Sequence, residues 1–320
     1  MNKKLNIAFF GTPEFAIPSL DIIIRNSYSV CVVVTAPDKP AGRNRTMHQS
    51  AVKQYAIEKG LKLLQPVKLD DKDFINEFRQ CDPDLMVVVA FRILPEVIWS
   101  LPRLGAFNLH ASLLPQYRGA APINHAIING ENETGVTTFF LDKHVDTGNI
   151  ILQKKVPISE EDNAGTLHDR LMMIGAELVL ETIQNISSQC VSITQQKEMT
   201  TRTSELNKAP KLTKEFCRIN WKADAHIVYN FIRGLSPYPS AWTIFNSVDK
   251  QIQIKIKRTS IEIISHELEP GKIIADGNSL KIAVKDGFIH IIELQQAGKK
   301  MMSASNFCNG IILDKEFIAI

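Results

Sequence analysis

The sequence lacks the features that would place it in a membrane, a disulfide framework or a dinucleotide enzyme. No apolar run reaches the ~18 residues needed to span a bilayer. The five cysteines, Cys31, Cys81, Cys190, Cys217 and Cys308, are odd in number and far apart, and no CxxC occurs. Neither a zinc site nor a disulfide pattern is therefore expected, and a reducing cytoplasm is the simplest compartment. The glycine of "FFGTPEF" stands alone after its apolar run, so the GxGxxG dinucleotide fingerprint is missing. Repeats and low-complexity tracts are absent. The N-terminus has two lysines and a short apolar run, but Gly11-Thr12-Pro13-Glu14 breaks it and no small-residue cleavage site follows. It reads as a first strand, not a signal peptide.

What is present suits a globular protein. The 320 residues suffice for about two domains, with 44% hydrophobic and 22% charged residues. Net charge is +3 but unevenly divided: from Lys208 onward there are 16 Lys and Arg against 11 Asp and Glu. A basic C-terminal part can attract a polyanion through phosphate neutralisation.

The first two-thirds alternate between two patterns. "LNIAFFG", "SVCVVVTA" and "DLMVVVA" are near-continuous apolar runs, as strands buried on both faces require. Between them lie the helical patterns "EFAIPSLDIIIRN", "QSAVKQYAIEKG" and "DKDFINEFRQC". The expectation is a doubly wound, mostly parallel α/β sheet of Rossmann-like type, with ligands at the carboxyl ends of its strands. A long helix, "NAGTLHDRLMMIGAELVLETIQNI", has Asn163 or Thr166 as a cap. Beyond it, residues 188–207 are polar, without a helical stripe, and read as a linker with room for one short strand. Then come one helix, "ADAHIVYNFIRGL", and period-two runs with turns at Asp276-Gly277 and Asp286-Gly287. These predict a small OB-like β-barrel. The expected division is 1–187, 188–207 and 208–320.

Within "AFNLHAS", residues two apart on a strand face the same way, so Asn108 and His110 share a face. Asn offers a neutral N–H donor, and His donates a hydrogen bond or moves a proton near neutral pH. The pair suits a reaction in which negative charge develops on a carbonyl oxygen. No nucleophilic Ser, Cys or Lys stands beside them, and no second His or Cys has metal-ligand spacing, so direct transfer without a metal is favoured. Asp146, in "HVDTGN", could orient His110. From spacing alone, a hydrogen-bonded turn at Asn108-His110 and an Asx turn before Gly148 stay open.

The segments "FFGTPEFAIPSL", "APDKPAGR", "NLHASLLPQYRGAAPI", "TGVT", "VDTGN", "KLTKEFCRINW" and "IRGLSPYPSAWT" run in order along nearly the whole chain. With them the sequence resembles the 10-formyltetrahydrofolate-dependent formyltransferases, and most narrowly the methionyl-tRNA formyltransferases. The resemblance implies formyl transfer from 10-formyltetrahydrofolate to the α-amine of methionine on initiator tRNA, leaving tetrahydrofolate, in a cytoplasmic monomer. It implies catalytic roles for Asn108, His110 and Asp146. Ser112, Leu113, Leu114 and Pro115 would bind the folate. The basic loop with Lys39, Arg43 and Arg45 would reach the tRNA. The C-terminal barrel would contact tRNA as well. Departures from the family pattern are Phe91 and Arg92 in "AFRILP", His144, Val145 and Asn149 around Asp146, and Ser240 where glycine is common. A formyltransferase for another amine, a formyltetrahydrofolate hydrolase, an RNA-binding protein without catalysis and, against the missing GxGxxG, a dinucleotide-dependent oxidoreductase stand as alternatives.

Overall fold

A computed structural model describes residues 5–41, 46–199, 205–276, 278–310 and 317–320. The chain divides into two compact units. One holds Met1–Gly119, Thr134–Pro157 and His168–Lys208; the other holds Ala120–Glu133, Ile158–Leu167 and Ala209–Ile320.

The chain order is β1 (Asn6–Gly11), α1 (Ile17–Arg25), β2 (Ser29–Val34), β3 (Lys39–Ala41), β4 (Thr46–His48), α2 (Ala51–Glu58), β5 (Leu63–Leu64), α3 (Lys72–Gln80), β6 (Leu85–Val89), α4 (Glu96–Trp99), β7 (Ala106–His110) and β8 (Arg118–Gly119). It continues with α5 (Pro122–Ile128), β9 (Glu133–Phe140), β10 (Ile150–Pro157), α6 (Ala164–Ser187) and β11 (Lys208–Ala209). The first unit is built on one sheet in the order β10-β9-β7-β6-β1-β2-β5. Strands β5, β2, β1, β6 and β7 run parallel, and β9 is antiparallel to β7. The alternation read from the sequence is thus present.

Its cause is visible in β1, where Ile7 to Phe10 have no exposed surface. Ala8 and Phe10 belong to the same core cluster as Phe74 and Phe78 of α3, and the Phe10 and Phe78 rings meet edge to face at 5.5 Å. Burying each such ring is worth about 1.5–3 kcal/mol. Side chains cap the helices: Ser50 accepts from Lys53 N at the start of α2, and Asp71 accepts from Asp73 N and Phe74 N at the start of α3. Asn163 Oδ1 accepts from Gly165 N and Thr166 N at the start of α6. After β5 the chain returns to the other side of β1 as β6, and that reversal opens a crevice at the carboxyl ends of the strands.

Two segments carry more structure than their sequence pattern suggests. In the basic loop, β3 pairs antiparallel with β4, Pro40 opposite Met47. A two-stranded ribbon needs no apolar period and tolerates a proline on its free edge. In the segment read as a linker, Thr194 bridges to Ile150, and a 3-10 turn covers Gln196–Met199.

The second unit contains α5, α7 (Ala225–Gly234), β12 (Ala241–Asn246), β13 (Gln251–Ile263), β14 (Ile273–Asp276), β15 (Ser279–Val284), β16 (Gly287–Gln296), β17 (Met302–Ser303), α8 (Ala304–Gly310) and β18 (Ile318–Ala319). The sheet order is β14-β15-β16-β13-β12-β18. A bridge between Lys272 and Ile318 brings its two edges together, which makes it the expected barrel. Closure demands glycine at Gly271, whose φ is +91° and where a Cβ would sit 2.4 Å from Ala319 O. Period two is plain in β13: Ile252, Ile254 and Ile256 are buried while Gln251 and Lys255 are exposed. The Asp286-Gly287 turn joins β15 to β16 as read. The Asp276-Gly277 turn includes Gly277, outside the described residues. Ser240 has a left-handed φ of +81°, which explains why glycine suits that position.

Candidate active site

Strand β7 brings Asn108 and His110 to the carboxyl end of the sheet. Asn108 lies opposite Val88 of β6 and Phe139 of β9. His110 is 6% exposed, and its Nε2 lies 2.9 Å from Tyr117 O. A carbonyl can only accept, so Nε2 carries the proton and Nδ1 of the neutral ring holds a lone pair.

The turn that presents this carbonyl is internally fastened. Ser112 Oγ donates to Gln116 O at 2.7 Å. Thr137 Oγ1 donates to Ser112 O at 2.6 Å and accepts from Leu114 N at 3.2 Å.

Asp146 comes from the loop between β9 and β10, with φ +57°. Its Oδ2 accepts from Gly119 N at 3.0 Å and lies 3.9 Å from His110 Nδ1. This contact is an ion pair only when the imidazole is protonated. Asp142 fastens the outer part of the loop, accepting from His144 N and from Thr147 Oγ1. Gly148 fastens its base, because a Cβ there would fall 1.7 Å from Phe140 O. Two segments some distance apart in sequence are thus gathered, with Asp146 beside His110 and on the same cavity wall as Asn108.

That cavity, about 130 Å³, is lined by Val88, Phe91, Arg92, Ile93, Leu94, Trp99, Asn108 and Leu141 to Asp146. Its walls are mainly apolar, and the Asn108 amide has no hydrogen-bond partner among the described residues. A flat heterocycle with an attached carbonyl fits this chemistry: rings for its faces, and a free amide for the carbonyl. Phe91 packs edge to face on Phe10 at 5.4 Å. Arg92 is turned to other work: Nη1 donates to Val67 O at 2.8 Å and Nη2 donates to Pro66 O. Sequence reasoning named Phe91 and Arg92 only as departures from the family pattern and did not assign Ile93, Leu94, Trp99 or Leu141 to a site. Apolar residues read as core, and the one available signal was the place of Phe91 to Leu94 just after β6 and of Leu141 just after β9.

Other expectations fall elsewhere. Leu113, Leu114 and Pro115 line a separate hollow with Gln116, Gln153, Lys155, Met199 and Leu206, and Ser112 is fully buried. The structure does not bring this segment to the wall shared by Asn108 and Asp146. Lys39 is exposed in β3. Asp38, its nearest acid in sequence, instead accepts from Lys53 Nζ at 2.5 Å and Gln65 Nε2 at 2.9 Å. Those two bonds hold the Asp38 carboxyl below the usual carboxylate range. Arg43 and Arg45 lie outside the described residues. Among the thiols, burial pushes Cys31 up to about 11 and also raises Cys217 and Cys308, away from the thiolate a nucleophile needs.

The sequence profile of the family described as Formyl transferase matches residues 5–183, and that of the Formyl transferase C-terminal domain matches residues 211–311. The chain is similar to the methionyl-tRNA formyltransferase of Bacteroides fragilis, 49% identical over 98% of both chains. It is also similar to that of Flavobacterium johnsoniae, 48% identical over 98% of both. Among solved structures it resembles WlaRD, a sugar 3N-formyl transferase crystallised in the presence of dTDP and 5-N-formyl-THF. There the TM-score is 0.65 at 23% identity, over 93% of this chain and 100% of that one, a likeness of fold.

Proposed function

The chain belongs to the Formyl transferase family, and from that premise we propose that it moves a formyl group from 10-formyltetrahydrofolate to the α-amine of methionine on initiator tRNA. The observation that carries this reading is the meeting of an unpartnered Asn108 amide, His110 and Asp146 beside an apolar cavity. Near-full-length relatives named for this reaction support it.

The residues divide the chemistry. Phe91, Leu94, Trp99 and Leu141 offer faces to the pterin. Asn108 donates to the formyl oxygen as it gains negative charge under attack by the neutral amine. One such donor is typically worth roughly 100–1,000-fold in rate, about 3–4 kcal/mol. His110 keeps its Nε2 proton on Tyr117 O, so Nδ1 takes the proton the attacking amine must lose. Asp146, 3.9 Å away, stabilises the imidazolium so formed. The same Nδ1–H can then be returned to the leaving nitrogen of tetrahydrofolate. This one-nitrogen relay gives the leaving group its proton without a further acid.

Ser112, Leu113, Leu114 and Pro115 remain in this reading as the segment that shapes the folate side of the site and holds Tyr117 O on His110. Lys39, Arg43 and Arg45 are read as the loop that meets the tRNA acceptor end. The division into 1–187, 188–207 and 208–320, with tRNA contact in the last part, belongs to the same proposal, as does a monomer acting in the cytoplasm.

The test is transfer of labelled formyl from 10-formyltetrahydrofolate to Met-tRNA, with free methionine and water as competing acceptors. Label in the tRNA fraction alone is expected. Release as formate, or transfer to free methionine at equal rate, would assign the chain to a hydrolase or to another formyltransferase.

A further inference from the structure

The loop that carries Asp146 is gripped by a side chain 50 positions away in sequence. Gln196 opens the 3-10 turn in the polar segment after α6 and is 3% exposed. Its Nε2 donates to Asp146 O at 3.0 Å and to Gly148 O at 2.8 Å. Its Oε1 accepts from Arg118 Nε at 3.0 Å and from Arg118 Nη2 at 2.5 Å. Both amide hydrogens and both oxygen lone pairs are thus occupied. The residue after Arg118 is Gly119, whose N–H holds Asp146 Oδ2. Main chain and carboxylate of Asp146 therefore belong to one connected network.

We propose that Gln196, oriented by Arg118, is a positioning residue that sets the Asp146 carboxylate against His110 Nδ1. The backbone gives the reason such a device is needed. Asp146 sits at φ +57°, a left-handed conformation that residues with a side chain rarely adopt unaided. Without donors for the Asp146 and Gly148 carbonyls, the loop is free to relax and carry the carboxylate away. A side-chain amide supplies two N–H donors from one nitrogen, which matches two carbonyls two residues apart. A carboxylate in its place would satisfy Arg118 equally well but would face both carbonyls with oxygen. The segment that sequence alone reads as a spacer thereby supplies part of the catalytic geometry.

This inference rests on Asp146 being the working partner of His110. The test uses the full-length chain with Gln196→Ala and Gln196→Glu, the second keeping the volume and an Arg118 partner. Formylation of Met-tRNA is measured with folate and tRNA varied separately, and a crystal structure of Gln196→Glu gives the Asp146 Oδ2 to His110 Nδ1 separation. Both variants are expected to lose roughly 10–100-fold in kcat with little change in KM for folate, as sub-ångström to ångström misplacement does. The separation should exceed 3.9 Å in the Glu variant. Wild-type kcat in Gln196→Glu would overturn the proposal, because satisfying Arg118 would then be all that matters. So would an unchanged separation in a slow variant. If the wild-type chain fails to formylate Met-tRNA, the proposed activity fails, and the separation in the crystal still decides the positioning role.

Discussion

In the proposed reaction the Tyr117 carbonyl decides which nitrogen of His110 acts, since it accepts from Nε2 and leaves Nδ1 toward Asp146. The Asp146 loop is held as tightly by what it lacks: a Cβ on Gly148 would collide with Phe140 O. Gly148→Ala should therefore shift the loop, costing about 1–3 kcal/mol of stability and, through about an ångström of displacement at Asp146, roughly 100-fold in kcat. Thermal unfolding and formylation rates of the variant check both, and a variant with wild-type kcat would mean the loop adapts. Asn108 and His110 were legible from the two-residue period of a strand. Asp146 was legible as a loop carboxylate able to orient His110, with an Asx turn equally open until the resemblance favoured the pairing. Gln196 and Arg118 were not legible, because their bond joins residues 78 apart and nothing in a polar stretch marks one glutamine as buried. Leu94, Trp99 and Leu141 were missed because an apolar cavity wall and an apolar core have the same composition.

The helices and strands followed their periods closely, since burial on one or both faces is what those periods encode. Their ends followed chemistry that is equally local. Asp71→Ala removes the oxygen that accepts from Asp73 N and Phe74 N, so it should cost ~1 kcal/mol and lower the urea midpoint while leaving kcat unchanged. A loss of kcat would mean that α3 bears on the cavity more directly than its cap suggests. Where pairing is made by backbone alone, as in β3 and β4, or by one isolated bridge, as at Thr194, the sequence carries no period to read. The barrel adds a contact that depends on pH. Glu262 on β13 accepts from His290 on β16 at 2.7 Å and Lys281 on β15 at 3.1 Å. The His290 bond first, and Lys281 next, hold its carboxyl below the usual range. A value lowered by folding stabilises the folded state above the unfolded pKa of ~4.3 and ceases to as pH falls through the lowered value. Glu262→Gln should lower the urea midpoint at pH 6, with the difference shrinking as the pH drops below about 4. A difference that grew toward acid would contradict this.

At the scale of the whole molecule, the two compact units do not follow chain order. The second unit gathers Ala120–Glu133 and Ile158–Leu167 with the C-terminal barrel. Within it Asn124 Nδ2 donates to Gly234 O at 2.8 Å and His125 Nε2 lies 3.0 Å from Pro210 O. A boundary in the sequence is read from composition, which cannot reveal that an earlier helix packs on a later one. A fragment from Lys208 onward should accordingly unfold at lower urea than the same barrel in the full chain, measured by hydrogen exchange of β13 and β16; equal protection would make α5 dispensable. The excess of basic residues after Lys208 was legible as a number, but a count does not say which face meets RNA. The full chain should bind tRNA with an affinity that falls steeply with salt, and a flat titration would make that charge a solvated surface. Central to the proposed reaction is His110, the group that moves the proton beside Asn108. The decisive measurement is the single-turnover rate of formyl transfer to Met-tRNA by His110→Ala, with folate affinity measured on the same sample. The expected result is a rate lower by roughly 100–10,000-fold, the range for a lost general acid–base, with folate affinity nearly unchanged. A near-normal rate would contradict the assignment.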